Sequence, residues 1–147
     1  MRRWRTSSIL LLLLTGCVTD NNTAQLHVPF VLGSLRYIVQ DITLETGHSL
    51  PGVHQLKFTL WVNNPASRAQ TFEPSALSIT VLCDYNRQVF QLAAPQEAAA
   101  AIDPGQTIET VRYYDVPDGA CDQGLNVEFM AAGQRVLMPI LKPTLFD

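Results

Sequence analysis

The feature that most constrains the fold is a strict alternation of apolar and polar side chains in the middle of the chain. In LKFTLWVN, residues 56–63, Leu, Phe, Leu and Val alternate with Lys, Thr, Trp and Asn. A two-residue period places all the apolar side chains on one face of a β-strand, whereas a helix would spread them around its circumference. The stretch is therefore predicted to be a strand with one face in the core.

Similar stretches, rich in β-branched and aromatic residues, recur along the chain and are separated by turn signals such as NNPAS, DYNR and DPG. They are LRYIVQDITL (35–44), LSITVLC (77–83), QVFQL (88–92), TIETVRYYDV (107–116), LNVEF (125–129) and VLMPIL (136–141). Pro139 marks the last stretch as an edge strand. The segment Glu97 to Ala101 is expected to lie in a long surface loop, or to form one helical turn. Seven or eight short strands predict an all-β chain, an antiparallel sandwich or small barrel.

The amino-terminal segment has the composition of a secretory signal peptide. Arginines at positions 2, 3 and 5 precede the apolar run Ile9 to Leu14, which is too short to cross a bilayer. The following LTGC, residues 14–17, resembles the bacterial lipobox. This resemblance implies cleavage after Gly16 and lipidation of Cys17; the alternative is an ordinary signal peptide that happens to contain a cysteine. In such lipoproteins, an Asp directly after the cysteine is the typical signal for retention in the inner membrane. Here the residue is Val18, so the resemblance favours a location on the periplasmic face of the outer membrane.

These signals divide the chain into three parts. Residues 1–16 are predicted to be the signal peptide, 17–25 the lipidated cysteine with a short polar tether, and 26–147 a single folded domain. The part from Cys17 onward carries 7 basic and 13 acidic residues, and its basic residues are scattered singly. Nucleic-acid binding is therefore not expected, and attachment to the membrane is expected to come from the lipid alone.

Two further cysteines, Cys83 and Cys121, remain in the predicted domain. An even number of cysteines in an oxidising compartment predicts a disulfide between them, with two free thiols as the alternative. Neither cysteine belongs to a Cys-x-x-Cys motif or has a histidine close by in sequence, so a metal or redox role is not expected.

The order of turn motifs resembles a known type of domain. A strand ending in VNNP (62–65) is followed by FEP (72–74), LSITVLCDYNRQVF (77–90), Pro104-Gly105 and VRYYDVP (111–117). This series resembles the immunoglobulin-like domain of uncharacterised function found in many bacterial lipoproteins. It is also similar to the water-stress and late-embryogenesis type-2 domain, whose strand ends in Asn-Pro-Asn; here Ala66 follows Pro65. Both resemblances imply a small immunoglobulin-like β-sandwich, and neither supplies a catalytic residue.

Few residues carry the chemistry of a catalytic or metal site. His48 and His54 flank a Pro-Gly turn, but zinc needs three or four converging ligands. Three aspartates, at 115, 118 and 122, surround Gly119 without the spacing of a calcium loop. The sequence also lacks a Gly-x-Ser-x-Gly nucleophile motif and a phosphate-binding glycine loop. We therefore expect no metal, no cofactor and no enzymatic activity.

Four aromatic side chains are candidates for an interface: Trp61, Tyr85, Tyr113 and Tyr114. Tyr113 and Tyr114 are adjacent, so a strand turns one of them outward; Trp61 either faces a partner or packs beneath another part of the chain. The expected function is a non-catalytic, protein-binding adaptor that contacts another envelope protein. Three alternatives stay open at this point: an assembly subunit of a secretion or pilus apparatus, a ligand- or metal-binding envelope stress protein, and an enzyme, whose signature would be a buried carboxylate pair in a cleft.

Overall fold

The computed structural model describes residues 23–45, 51–83, 88–91, 97–117, 125–140 and 144–146, and most of these residues lie in strands. A short 3₁₀ helix, Pro74–Ala76, interrupts the series. The strands are β1 (Phe30–Leu32), β2 (Leu35–Glu45), β3 (Val53–Asn63), β4 (Gln70–Phe72), β5 (Ser78–Cys83), β6 (Gln88–Gln91), β7 (Ala100–Ile102), β8 (Thr107–Pro117), β9 (Leu125–Ala131), β10 (Gln134–Ile140) and β11 (Thr144–Phe146).

The strands form two main sheets and one small sheet. Sheet I has the order β1-β2-β3-β8, and β11 joins it by pairing in parallel with β2. Sheet II has the order β10-β9-β5-β6, and β4 pairs with β7 in a separate two-stranded sheet. Every other pairing between these strands is antiparallel. Among the described residues, no helix is long and apolar enough to cross a membrane.

The core lies between the inner faces of sheets I and II. On β3, the alternation seen in the sequence places Leu56, Phe58, Leu60 and Val62 in the interior, all with no solvent exposure. Burying one such side chain contributes roughly 1.5–3 kcal/mol. Sheet II contributes the alternating set on β5 and β9, namely Ile79, Val81, Leu125, Val127 and Phe129. The predicted sandwich is therefore confirmed, with its apolar faces packed against each other.

The hairpin turns of the two sheets meet at one end of the sandwich. Gly33, in the β1–β2 turn, has φ +64°, and a Cβ atom there would lie 2.9 Å from the Cβ of Ala132 in the β9–β10 turn. Both Ala132 and Gly133 have positive φ, 51° and 73°, as a two-residue type I′ turn requires. The Gly33 amide donates to Oε1 of Gln134 at 2.7 Å. These contacts join sheet I to sheet II and leave room only for glycine at position 33.

The first described residues connect the same two sheets. Thr23 forms a parallel bridge with Leu137 on β10, and the Ala24 amide donates to the Leu137 carbonyl at 2.8 Å. Three residues later, the His27 amide donates to the carbonyl of Val39 on β2 at 2.9 Å. Ala24 is buried, because its small side chain fits against the core. Thr23 and Ala24, which lie within the stretch 17–25 predicted to be the anchor and tether, thus already contact the folded domain.

A buried asparagine organises the loop after β3. The side chain of Asn64 has no solvent exposure. Its Nδ2 donates to the carbonyls of Arg68 and Ile102, both at 2.8 Å, and its Oδ1 accepts from the amide of Ala66 at 2.9 Å. These bonds hold the start of the β3–β4 connection against the end of β7.

Most of the predicted strands are present with small shifts in their ends. The four strands that the sequence did not predict as separate elements, β1, β4, β7 and β11, have three residues each. The segment Glu97 to Ala101 follows the expected surface loop only at residues 97–99, because Ala100 and Ala101 belong to strand Ala100–Ile102, which pairs with β4; no helical turn forms there. The predicted edge strand is confirmed, since β10 ends sheet II. The predicted turn at 84–87 lies outside the described residues.

Candidate interaction surface

Two of the predicted interface residues lie on the outer face of sheet I. Trp61 on β3 and Tyr113 on β8 are 41% and 52% exposed. Their strands are hydrogen-bonded neighbours, and alternation turns the odd-numbered residues of both strands away from the core. Trp61 is paired with Glu109, and Tyr113 is four residues further along β8, about 13 Å at the strand rise. We call this outer surface of β3 and β8 the aromatic face.

Each aromatic ring on this face is held by the residue directly opposite. Trp61 Nε1 donates to Oε2 of Glu109 at 3.1 Å. Lys57 places its Nζ 5.9 Å from the centroid of the Tyr113 ring, a cation–π distance. These cross-strand contacts restrict the rotamers of the two partly exposed rings, so less side-chain entropy is lost when a partner binds.

Tyr114 does not belong to this surface, which corrects its prediction as an interface residue. It is 8% exposed and points into the sandwich, where its ring packs edge-on against Phe58 at a centroid distance of 5.5 Å. Burial raises the pKa of the Tyr114 hydroxyl above its ordinary value of 10.0, and the positive charge of Arg112 partly opposes this effect. The pKa of Tyr37 is raised by the same cause.

A buried arginine lies on the inner side of β8. Arg112 is 4% exposed; its Nη1 donates to the Leu77 carbonyl at 3.0 Å and its Nη2 to the Pro74 carbonyl at 2.8 Å. The guanidinium thus fastens the 3₁₀ helix to sheet I. Because it lies within the core, Arg112 acts on the fold and does not contribute to the aromatic face.

Several predicted site residues lie outside the described residues. These are Cys17, Tyr85, Cys121 and His48. For Cys83, the structure describes only the backbone, which belongs to β5. The lipidation site and the disulfide therefore stay predictions. Within the described ranges, no three His, Cys, Asp or Glu residues are grouped so that they could hold a metal ion.

A groove lies between β1 and β10, which are edge strands of the two sheets. It has a volume of about 780 Å³, and its walls come from the first described residues, β1 and the β9–β10 hairpin. Phe30, Leu32 and Val136 supply apolar walls, and Arg135 is the one charged residue among the described residues of its lining. A smaller cavity of about 180 Å³ lies beneath the β1–β2 turn.

The fold defines the chain as a β-sandwich protein, and comparisons with solved structures agree. An uncharacterised β-sandwich protein from Clostridium difficile is similar, with a TM-score of 0.54, 13% sequence identity, and coverage of 80% of this chain and 93% of that one. A conserved hypothetical protein from Bacillus anthracis gives a TM-score of 0.55 at 12% identity, covering 80% and 94%. The yjhA protein from Bacillus subtilis gives 0.54 at 10% identity, covering 80% and 98%.

These likenesses concern the fold alone. No protein-family model matches the sequence, and no curated protein matches it. The resemblance stated from the turn motifs is thus supported at the level of the β-sandwich and no further.

Sequence reasoning missed the partners of the two exposed rings, although a signal was present. Lys57 and Trp61 alternate with the apolar set of their strand, and Glu109 and Tyr113 share odd numbering on the next predicted strand, although the sequence leaves open which face of that strand is outward. What could not be read was the register of β3 against β8, which places Trp61 opposite Glu109 and Lys57 opposite Tyr113.

Proposed function

We propose that this protein is a lipid-anchored lipoprotein of the bacterial envelope whose immunoglobulin-like β-sandwich binds another envelope protein without catalysing a reaction. The observation that carries the binding role is the aromatic face. Trp61 and Tyr113 are exposed, open on one side, and oriented by Glu109 and Lys57. Rigid, exposed aromatic side chains are the residues that most often dominate binding energy at protein interfaces.

The anchoring role rests on the sequence. The LTGC motif follows a basic segment and a short apolar run, which is the order that lipoprotein processing requires. Val18 after Cys17 favours delivery to the outer membrane, with the domain in the periplasm. Attachment to one surface raises the effective concentration of the aromatic face for any neighbour in that compartment, so even a modest intrinsic affinity suffices.

Anchoring is tested by Cys17→Ser in the full chain. We expect the variant to lose its acyl modification by mass spectrometry and to leave the membrane fraction. Unchanged fractionation and an unmodified mass for the native chain would contradict lipidation.

Binding is tested by photo-crosslinking in cells. A photoreactive phenylalanine analogue is introduced at Trp61 or at Tyr113, and at Met130 as the matched control. Met130 is 42% exposed but lies on β9 of sheet II. We expect the same discrete crosslinked envelope protein from both positions on the aromatic face and none from Met130. Identical products at all three positions would refute a specific aromatic interface.

A further inference from the structure

Exposed apolar side chains are concentrated where the described chain begins. Leu26, Val28 and Val31 are 39%, 47% and 52% exposed, and they lie within six consecutive residues. Val28 and Val31 also line the groove between β1 and β10. A cluster of this kind at one edge of a sandwich needs an apolar neighbour, because isolated exposed apolar residues are normal but grouped ones mark contact surfaces.

The segments at this edge carry no acidic residue. The chain has 13 Asp and Glu residues, yet none occurs in residues 23–40 or 129–140. The described residues of the groove lining include Arg135 and no carboxylate; the Arg135 side chain is 63% exposed, and its Nε pairs with Glu128 of the neighbouring strand β9 at 2.6 Å. An acidic domain facing anionic or zwitterionic headgroups is repelled least when it presents such an edge.

The lipid cannot be far from this edge. Five residues lie between Cys17 and Thr23, so six Cα-to-Cα steps separate the two. A fully extended chain of that length reaches about 20 Å. Thr23 is itself part of the groove lining. The edge with the exposed apolar side chains is thus the part of the domain from which the anchoring segment leaves.

We propose that this edge is the membrane-contacting surface of the domain, with Leu26, Val28 and Val31 entering the interfacial region of the phospholipid bilayer that holds the lipid on Cys17. This inference rests on the proposed lipidation. β1 is the edge strand of sheet I, and β10 is the edge strand of sheet II. When the membrane contacts both edges, the planes of the two sheets are perpendicular to the membrane surface. The aromatic face is then directed sideways along the membrane, accessible to a neighbouring protein.

The test uses tryptophan as a depth reporter in the lipidated mature protein. Trp61→Phe removes the only tryptophan beyond the leader. In that background, Val28→Trp reports on the proposed contact. Tyr113→Trp is the matched control, since Tyr113 has similar exposure but lies on β8, at the other end of the sheet I strand order from β1. Each protein is reconstituted into vesicles of phosphatidylethanolamine and phosphatidylglycerol, with and without brominated acyl chains.

We expect a blue-shifted emission and several-fold stronger quenching by brominated lipid for Val28→Trp than for Tyr113→Trp. Adding Leu26→Glu and Val31→Glu to Val28→Trp is expected to abolish that quenching while the protein stays anchored. Equal quenching at both positions, or no quenching at either position, overturns the membrane contact. If there is no quenching and the protein self-associates with increasing concentration, the groove is assigned to a second copy of the chain. An unmodified Cys17 by mass spectrometry overturns the proposed lipidation first, and the contact with it.

Discussion

Asn63 and Asn64, at the end of β3, allow the effects of burial and of hydrogen bonding to be separated in one experiment. Asn64→Ala removes two bonds donated to the Arg68 and Ile102 carbonyls and one accepted from the Ala66 amide. The backbone bonds of Asn64, to Gln106 and from Gly105, are unaffected by the substitution. The change therefore deletes only the side-chain contacts of a fully buried residue.

The expected cost follows from what each partner can do afterwards. The Ile102 carbonyl belongs to a residue without solvent exposure and loses the Asn64 amide donor where water cannot replace it, whereas Arg68 is exposed and Ala66 half-buried, so water reaches them. Loss of the donor at a buried carbonyl costs about 1–3 kcal/mol, and water compensates the two partners that it can reach, which gives a loss of about 1–3 kcal/mol in the free energy of unfolding. For a domain of this size, that lowers Tm by about 4–12 °C.

Asn63→Ala is the matched control. The Asn63 Nδ2 makes a comparable set of contacts, at 3.3, 2.9 and 3.0 Å to Gly105 O, Gln106 O and Thr107 Oγ1. Those three partner residues are exposed, so water replaces the lost amide and the expected cost is below about 1 kcal/mol.

The assay is urea unfolding followed by far-ultraviolet circular dichroism, with Tm from a thermal scan. Equal losses for the two variants, or a loss below about 1 kcal/mol for Asn64→Ala, would refute the argument that desolvation decides the cost.

Three further outcomes are expected. Gly33→Ala should destabilise the protein by about 1–2 kcal/mol more than Gly133→Ala in urea unfolding. Both sites have positive φ, but only the new Cβ at position 33 meets a neighbour, the Cβ of Ala132. Equal costs would contradict the close approach of the two turns. Since burial raises the pKa of Tyr37 and Tyr114, their contribution to stability is present below pH 10 and is lost as the pH rises through the folded-state pKa. The double variant with both tyrosines changed to Phe should flatten the alkaline fall in the free energy of unfolding; an unchanged pH profile would contradict this. Arg112→Ala should cost about 3 kcal/mol in the same assay, since the Pro74 and Leu77 carbonyls lose their buried donors.

The strands with a clean two-residue period were predictable because burial of one face of the sheet causes both the alternation in the sequence and the packing of the strand. β3 is the clearest example, and its predicted inner face is the observed one. The short strands carry no such pattern. Ala100–Ile102 is two alanines and an isoleucine, and alanine has little preference for strands. The pairing of this segment with Gln70–Phe72 is non-local, and the Asn64 amide, bonded to Arg68 and Ile102, lies where the two segments meet.

The candidate surface was predictable in part for a related reason. Alternation requires Tyr113 and Tyr114 to face opposite ways, but it does not say which faces the core. The inward set on β8 contains Thr110 and Arg112, which look like solvent-facing residues in sequence. Only the carbonyls of the 3₁₀ helix, which approach from elsewhere in the chain, explain why a guanidinium lies inside.

The first described residues have a mechanical consequence. Ala24 is bonded to β10 of sheet II, and three residues later His27 is bonded to β2 of sheet I. In a protein held at its amino end, tension enters through this segment whenever a bound neighbour moves away. Force applied at the amino end therefore reaches hydrogen bonds to both sheets before it reaches the β1–β2 hairpin. With Cys17 lipidated as proposed, single-molecule pulling from residue 17 would measure how strongly this arrangement resists the load.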